Sequence, residues 1–282
     1  MKKRLNAALL TLLVSSYTPH AIAYGQAGSS SVDSTIQMPE SADAARLLTV
    51  QGVLNARNFS GLQGARGPVP ASSFIRTADL SKITPLGRNA LAAAGVTLDI
   101  DLRTAEEQKT SRDLLADDPR FKYERISLLG TEKIDPASLP SSLGSMYVNF
   151  LADNQAQFAQ VFKKMAQQKD GTILFHCAAG KDRTGMIAAL LLALAGVPES
   201  DIVHNYAISA DYLKPIMASP KMVEMIKANP KVAALSGTPP EAIVAFLDVL
   251  NSQHGGAHTY LKSIGLDDSD VQNLLQRMGQ AG

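Results

Sequence analysis

The chain's single cysteine, Cys177, stands six residues before Arg183, with Lys181 and Asp182 between them and Thr184 directly after. A thiolate is a strong nucleophile, and a guanidinium is a planar, permanently charged clamp for an oxyanion. Together they suit attack on a phosphoryl group or a similar tetrahedral anion. Ala178, Ala179 and Gly180 are small, so the backbone can close on such an anion without side chains in the way. The amides of Ala178, Ala179, Gly180, Lys181, Asp182 and Arg183 are therefore the candidate phosphate cradle. The same field favours the thiolate form of Cys177. Thr184 is placed to give its hydroxyl to the sulfur as it leaves in a second step.

Such a loop needs a strand to deliver it and a helix to carry it away. Ile173-Leu174-Phe175 reads as a short buried strand, and Met186–Val197 is an apolar run long enough for a buried helix. A loop between the two places its amides at a helix N-terminus, where the dipole and the free N–H groups hold anions.

The run His176-Cys177-Ala178-Ala179-Gly180-Lys181-Asp182-Arg183-Thr184-Gly185 resembles the cysteine-dependent tyrosine and dual-specificity phosphatases. It is most similar to their bacterial secreted tyrosine/lipid branch, whose loop reads HCxAGKDRTG. Val53–Gly61 partly resembles that branch's N-terminal element, with Asn58 in place of an acid and Ser60 in place of a glycine. Ile75–Ser81 and Thr259–Leu266 match its flanking segments, so the resemblance spans about residues 47–278. It implies an α/β fold, a central sheet flanked by helices, with a helical insertion after the core helix that covers the site as a lid. It also implies a phosphocysteine intermediate, no cofactor, and phosphotyrosine protein as substrate, with phosphoinositide or inositol phosphate as the alternative. Lys181 adds charge for polyphosphorylated substrates, whereas Ala178 lacks the second lysine of some lipid phosphatases. With no tryptophan in the chain, the mobile Trp-Pro-Asp loop of standard tyrosine phosphatases is absent. The resemblance makes Asp182 the first choice for the general acid and Asp101 the second, or else a residue supporting the loop from behind.

Other readings of the same residues fit less well. Asp99 and Asp101 share a face of the alternating run Val96–Arg103, a spacing also found in aspartyl-phosphate hydrolases. Those want Thr or Val two places after the second aspartate, where Arg103 stands. Asp99 reads as an ordinary solvated acid near a strand end. A rhodanese-type sulfurtransferase loop lacks the Gly-Lys-Asp-Arg-Thr run, and a non-catalytic phospho-ligand binder typically loses the Cys or the Arg. No cysteine pair, nucleotide-binding glycine loop or helical His pair is present, since Gly255 and Gly256 separate His254 from His258.

Length and composition (282 residues, 19% charged) allow a large soluble domain. Lys2, Lys3 and Arg4 precede an apolar stretch from Leu5 to Val14, and Ala21-Ile22-Ala23 offers a small-x-small cleavage site, so residues 1–23 read as a secretory signal. Its removal takes the formal charge from +1 to −2, so the mature chain has no bulk attraction for nucleic acid or anionic membrane. The expected product is exported, periplasmic or secreted, with no membrane-spanning segment. One cysteine permits no internal disulfide. Residues 24–45 are small and polar and read as a linker, and 46–282 as the catalytic domain, with 198–240 its insertion. Within that domain the expected elements are strands over Leu47–Leu54, Ser73–Arg76 and Phe121–Leu129, and a loop or hairpin over Gly61–Pro70. Helices are expected over Pro85–Ala94, over Ser142–Gln168 with a break near Asp153-Asn154, and over Asp268–Met278.

Overall fold

Thr172–His176 (β7) lies in the middle of a five-stranded sheet, and every one of its residues is buried. The structure, a computed structural model, describes residue 43 and residues 46–129 and 142–281. The expected signal segment and nearly all of the linker lie outside the described residues. The other strands are β1 (Arg57–Asn58), β4 (Phe74–Thr77), β5 (Val96–Asp101) and β6 (Lys122–Arg125), in the spatial order β1-β4-β7-β5-β6. β4, β7, β5 and β6 run parallel, while β1 joins the edge antiparallel. A short hairpin pairs β2 (Gln63–Gly64) with β3 (Gly67–Pro68), where the sequence predicts a hairpin or loop.

A parallel sheet of this kind is covered on both faces, and side chains along β7 alternate accordingly. Ile173 and Phe175 join the larger core, and Leu174 joins a smaller one with Ile75, Val96 and Leu91. Phe59, Phe74 and Phe175 meet in the larger core with ring centroids 6.3–6.4 Å apart. The helix after β7, α5 (Asp182–Leu194), is apolar on nearly all sides and buried almost throughout. Before it come α1 (Pro85–Ala93), α2 (Ala105–Thr110), α3 (Leu143–Asp153) and α4 (Gln155–Gln167). The last two are separate helices meeting at Asn154, where the sequence predicts a break.

The strand expected over Leu47–Leu54 does not form. Leu47 makes one isolated bridge to Arg57, after which the chain turns at Gln51-Gly52, with Gly52 at φ +86°. A left-handed residue in mid-run ends strand geometry. The strand expected over Phe121–Leu129 is confined to Lys122–Arg125.

The insertion divides in two. Its first helix, α6 (Glu199–Ala207), contributes Ile202 and Tyr206 to the main core. The shorter α7 (Ser209–Tyr212), α8 (Lys214–Met217), α9 (Pro220–Ala228) and α10 (Pro230–Ser236) follow. Leu213, Ile216 and Met222 from this part form a small cluster of their own with Ala179 of the Cys177 loop. The chain then returns to the core through α11 (Pro240–His254), α12 (Gly256–Ser263) and α13 (Asp268–Arg277). Among the described residues no helix is long and apolar enough to cross a membrane.

Candidate active site

The Cys177 loop leaves the carboxyl end of the central strand, where parallel α/β sheets place their ligands. Cys177 is 2% exposed, and Gly180 bends the loop at φ +67°. A Cβ at Gly180 would lie 2.2 Å from the Thr77 carbonyl oxygen, so only glycine fits. The loop's carbonyls are tied down from outside. Asp79 N donates to Ala178 O at 3.0 Å, and Asn55 Nδ2 donates to Ala179 O and Gly180 O at 3.0 Å each. Arg76 Nη2 donates to Gly180 O at 2.8 Å. With the carbonyls turned outward, the opposite edges of the peptides face the loop's hollow. No described residue accepts a hydrogen bond from the amides of 178–183. A ring of unspent N–H groups at a helix start is an anion site.

Arg183 is held on that site by Glu107. Its Nη1 and Nη2 each donate to a Glu107 carboxylate oxygen at 2.7 Å, a two-point pairing that fixes the guanidinium plane. Nε of Arg183 is buried and donates to nothing among the described residues. Glu107 is itself fixed, because Thr104 N donates to its Oε2 and Thr104 Oγ1 accepts from Glu107 N in a capping box at the start of α2. Burial alone would raise the Glu107 carboxyl, but Arg183 and the Thr104 amide hold it below the usual range.

Asp182 opens α5 and is 5% exposed. Tyr147 donates its hydroxyl to Asp182 Oδ1, and the Tyr147 and Tyr206 hydroxyls lie 2.9 Å apart. Burial and the neighbouring Asp182 charge push the Tyr147 hydroxyl well above its ordinary value, so it stays a donor. The Thr184 hydroxyl is buried without a partner among the described residues.

Residues 48–280 match the tyrosine phosphatase family. The chain belongs to that family. A tyrosine-protein phosphatase of Nostoc commune is 52% identical over 228 residues, covering 76% of each chain. The triple specificity protein phosphatase PtpB of Mycobacterium tuberculosis is 22% identical over 273 residues, covering 80% of this chain and 98% of its own. The crystal structure of TpbA from P. aeruginosa overlaps 62% of this chain and 92% of its own at 13% identity, with a TM-score of 0.28. The phosphatase is thus a protein-tyrosine-phosphatase-like enzyme on its sequence.

Two of the phosphatase's expected site residues, Lys181 and Asp101, are engaged by partners that the sequence does not suggest. Lys181 turns away from the phosphate hollow. Its ammonium donates to Leu235 O at 2.9 Å and Gly237 O at 2.7 Å, at the C-terminal end of α10, and lies 3.3 Å from Asp182 Oδ1. Asp101 is wholly buried and bound on both oxygens by Arg103 at 2.8 Å, with the Tyr123 hydroxyl donating at 2.9 Å. Burial would raise this carboxyl, but His176 and Arg103 hold it far below the usual range. A carboxylate kept ionised in this way has no proton to give.

Asp99 is not the solvated acid that the sequence implies; it is completely buried beside His176. Asp113, itself wholly buried, lies over this face of β5 and shields it from water. His176 Nε2 lies 2.9 Å from Asp113 Oδ2, 3.5 Å from Asp99 Oδ1 and 3.8 Å from Asp101 Oδ1. Asp99, Asp113 and His176 could also hold a metal, as their ligand atoms lie within 4.8 Å of one another. The imidazole supplies the cation there itself. Burial opposes its charge, but Asp101, Asp99 and Asp113 outweigh burial and raise it to about 10. Burial and the neighbouring Asp113 push the Asp99 carboxyl well above its usual range.

Glu107, Asn55, Arg76 and Tyr147 escape the sequence reading. Asn55 and Arg76 fall inside the resembling segments Val53–Gly61 and Ile75–Ser81 without a role being readable there, and Glu107 shows only the Thr104-x-x-Glu107 capping pattern, which announces a helix start and not a partner 76 residues away.

Proposed function

We propose that the enzyme hydrolyses phosphotyrosine in proteins through a phosphocysteine on Cys177. What supports this reading above all is the loop of unspent amides around a buried thiol, with the free Nε of Arg183 beside it. The Cys177 thiolate attacks phosphorus, a sulfur–phosphorus bond forms, and the bond to the tyrosyl oxygen breaks. The amides and Arg183 hold the equatorial oxygens as charge spreads over them. Asp182 gives its proton to the departing phenolic oxygen. It then takes a proton from the water that attacks phosphocysteine, releasing phosphate and regenerating the thiolate, while the Thr184 hydroxyl donates to the leaving sulfur. Asp101 serves by holding Arg103 and neighbouring His176, and the acid role falls to Asp182.

Phosphotyrosine is preferred over phosphoinositide because the loop's extra cation, Lys181, is spent on carbonyls of the insertion. The test is phosphate release by residues 24–282 on phosphotyrosine peptide, phosphoserine peptide and phosphoinositide, beside Cys177→Ser and Asp182→Asn. Wild type should favour phosphotyrosine and Cys177→Ser should be inert. Asp182→Asn should lose about 10²–10³-fold in kcat on phosphotyrosine, and far less on an aryl phosphate whose leaving group needs no proton. Turnover by Cys177→Ser would end the covalent reading. An equal loss on both esters would remove Asp182 as the acid.

A further inference from the structure

Two buried arginines near the loop, Arg57 and Arg76, carry charge that no described carboxylate partner accounts for. Arg57 and Arg76 are 2% and 0% exposed, and no carboxylate among the described residues lies within ion-pair reach of either. Arg103 and Arg183, equally buried, are each locked to a carboxylate. The partners of Arg57 and Arg76 are neutral. Arg57 Nη2 donates to Asn205 O at 2.7 Å and Ser209 Oγ at 2.8 Å, and its Nη1 donates to the Asn55 carbonyl at 3.1 Å. Arg76 Nη1 donates to Asn205 Oδ1 at 2.8 Å, and its Nη2 takes the Gly180 carbonyl. The Nε of each is buried and unpartnered.

A buried charge without a counter-charge is costly, so its presence asks what balances it. Burial lowers Arg76 to about 10, which leaves it cationic at neutral pH, and the acidic groups that act on it are Cys177, Tyr206, Tyr147 and Asp182. Arg57, lowered by burial and by Arg76, is its cationic neighbour. The side chain of Arg76 leaves β4 on the face of Phe74 and Phe175, towards α5, while His176 lies on the opposite face.

We propose that Arg76 is a positioning residue of the phosphate site, whose charge is balanced only when the thiolate and a phosphoryl anion fill the loop. This rests on the phosphatase reading and deepens it. Acting through Gly180 O, Arg76 turns the peptide that follows Gly180 so that its N–H faces the hollow. Its positive charge adds to that of Arg183 without touching the substrate. Arg57 supports it by holding Asn55, whose amide ties the two adjoining carbonyls.

A residue that only braces the fold and one that stores charge for an anion behave differently on substitution. The experiment is calorimetric titration of inorganic phosphate into the enzyme, with Tm measured without ligand, for wild type, Arg76→Gln and Arg76→Lys. Arg76→Gln should bind phosphate about tenfold more weakly while its ligand-free Tm is no lower than wild type, since an unpaired buried charge has gone. Arg76→Lys, which keeps the charge but only one of the bonds, should lose about threefold. The proposal is overturned if Arg76→Gln binds phosphate as tightly as wild type, if it melts lower or does not fold, or if Arg76→Lys loses as much affinity as Arg76→Gln. Failure of wild type itself to bind phosphate would instead sink the phosphatase reading.

Discussion

At the scale of single residues, the site is a contest between burying charges and using them. Arg183 illustrates it: the guanidinium is buried, held on two nitrogens by Glu107, and left with Nε free. Removing the carboxylate charge leaves a buried cation without a partner, which costs about 3–5 kcal/mol. It also frees the guanidinium to swing from the phosphate position, and misplacement of that size costs about 10²-fold in rate. Glu107→Gln should therefore lower both Tm and kcat/KM by those amounts, read by thermal melting and steady-state kinetics. Unchanged kcat/KM in a folded variant would show that Arg183 needs no anchor. Cys177, Arg183 and Asp182 could be grouped from the sequence alone because they lie in one contiguous stretch. Glu107 could not, because its contact spans 76 residues and its own neighbourhood reads as a simple helix cap.

Among elements, the paired ends of β5 and β7 set the pH behaviour. Asp101 and His176 are opposite one another in the strand register, so the buried acids of β5 face the imidazole of β7. The acids raise His176 from 6.5 to about 10, despite the opposing effect of burial. A group whose folded value is raised stabilises fully below its unfolded value and ceases to as pH passes its folded value. His176 thus contributes its full share below pH 6.5, and that share fades as the pH climbs to about 10. The urea midpoint should fall across this window, and Asp113→Asn should flatten the fall by removing the nearest acid. A slope unchanged in Asp113→Asn would contradict the assignment. The alternating pattern of Val96–Arg103 revealed the strand, yet alternation ordinarily signals one wet face. Only the folded chain, which brings the buried Asp113 over this face, shows that its polar side chains are shut away from water. The run Leu47–Leu54 misled in the opposite sense: its hydrophobic residues suggest a strand, but Gly52 turns the chain before one can extend.

Across the whole molecule, β4, β7 and β5 lie side by side in the middle of the sheet, and Leu213, Ile216 and Met222 of the insertion pack on Ala179 of the loop after β7. The Lys181 contact with the carbonyls of residues 235 and 237 couples the insertion to the catalytic loop. Everything converges on one thiol, the only cysteine in 282 residues. The central claim is that this sulfur carries the phosphoryl group during turnover. The most direct measurement is a rapid denaturing quench of the wild-type enzyme during turnover of a phosphotyrosine peptide, followed by mass mapping of its fragments. The account predicts a single phosphoryl group on the fragment that contains Cys177, appearing and decaying within one turnover. Phosphate release with no phosphoryl group on that fragment at any quench time, or with the group on another residue, would contradict it.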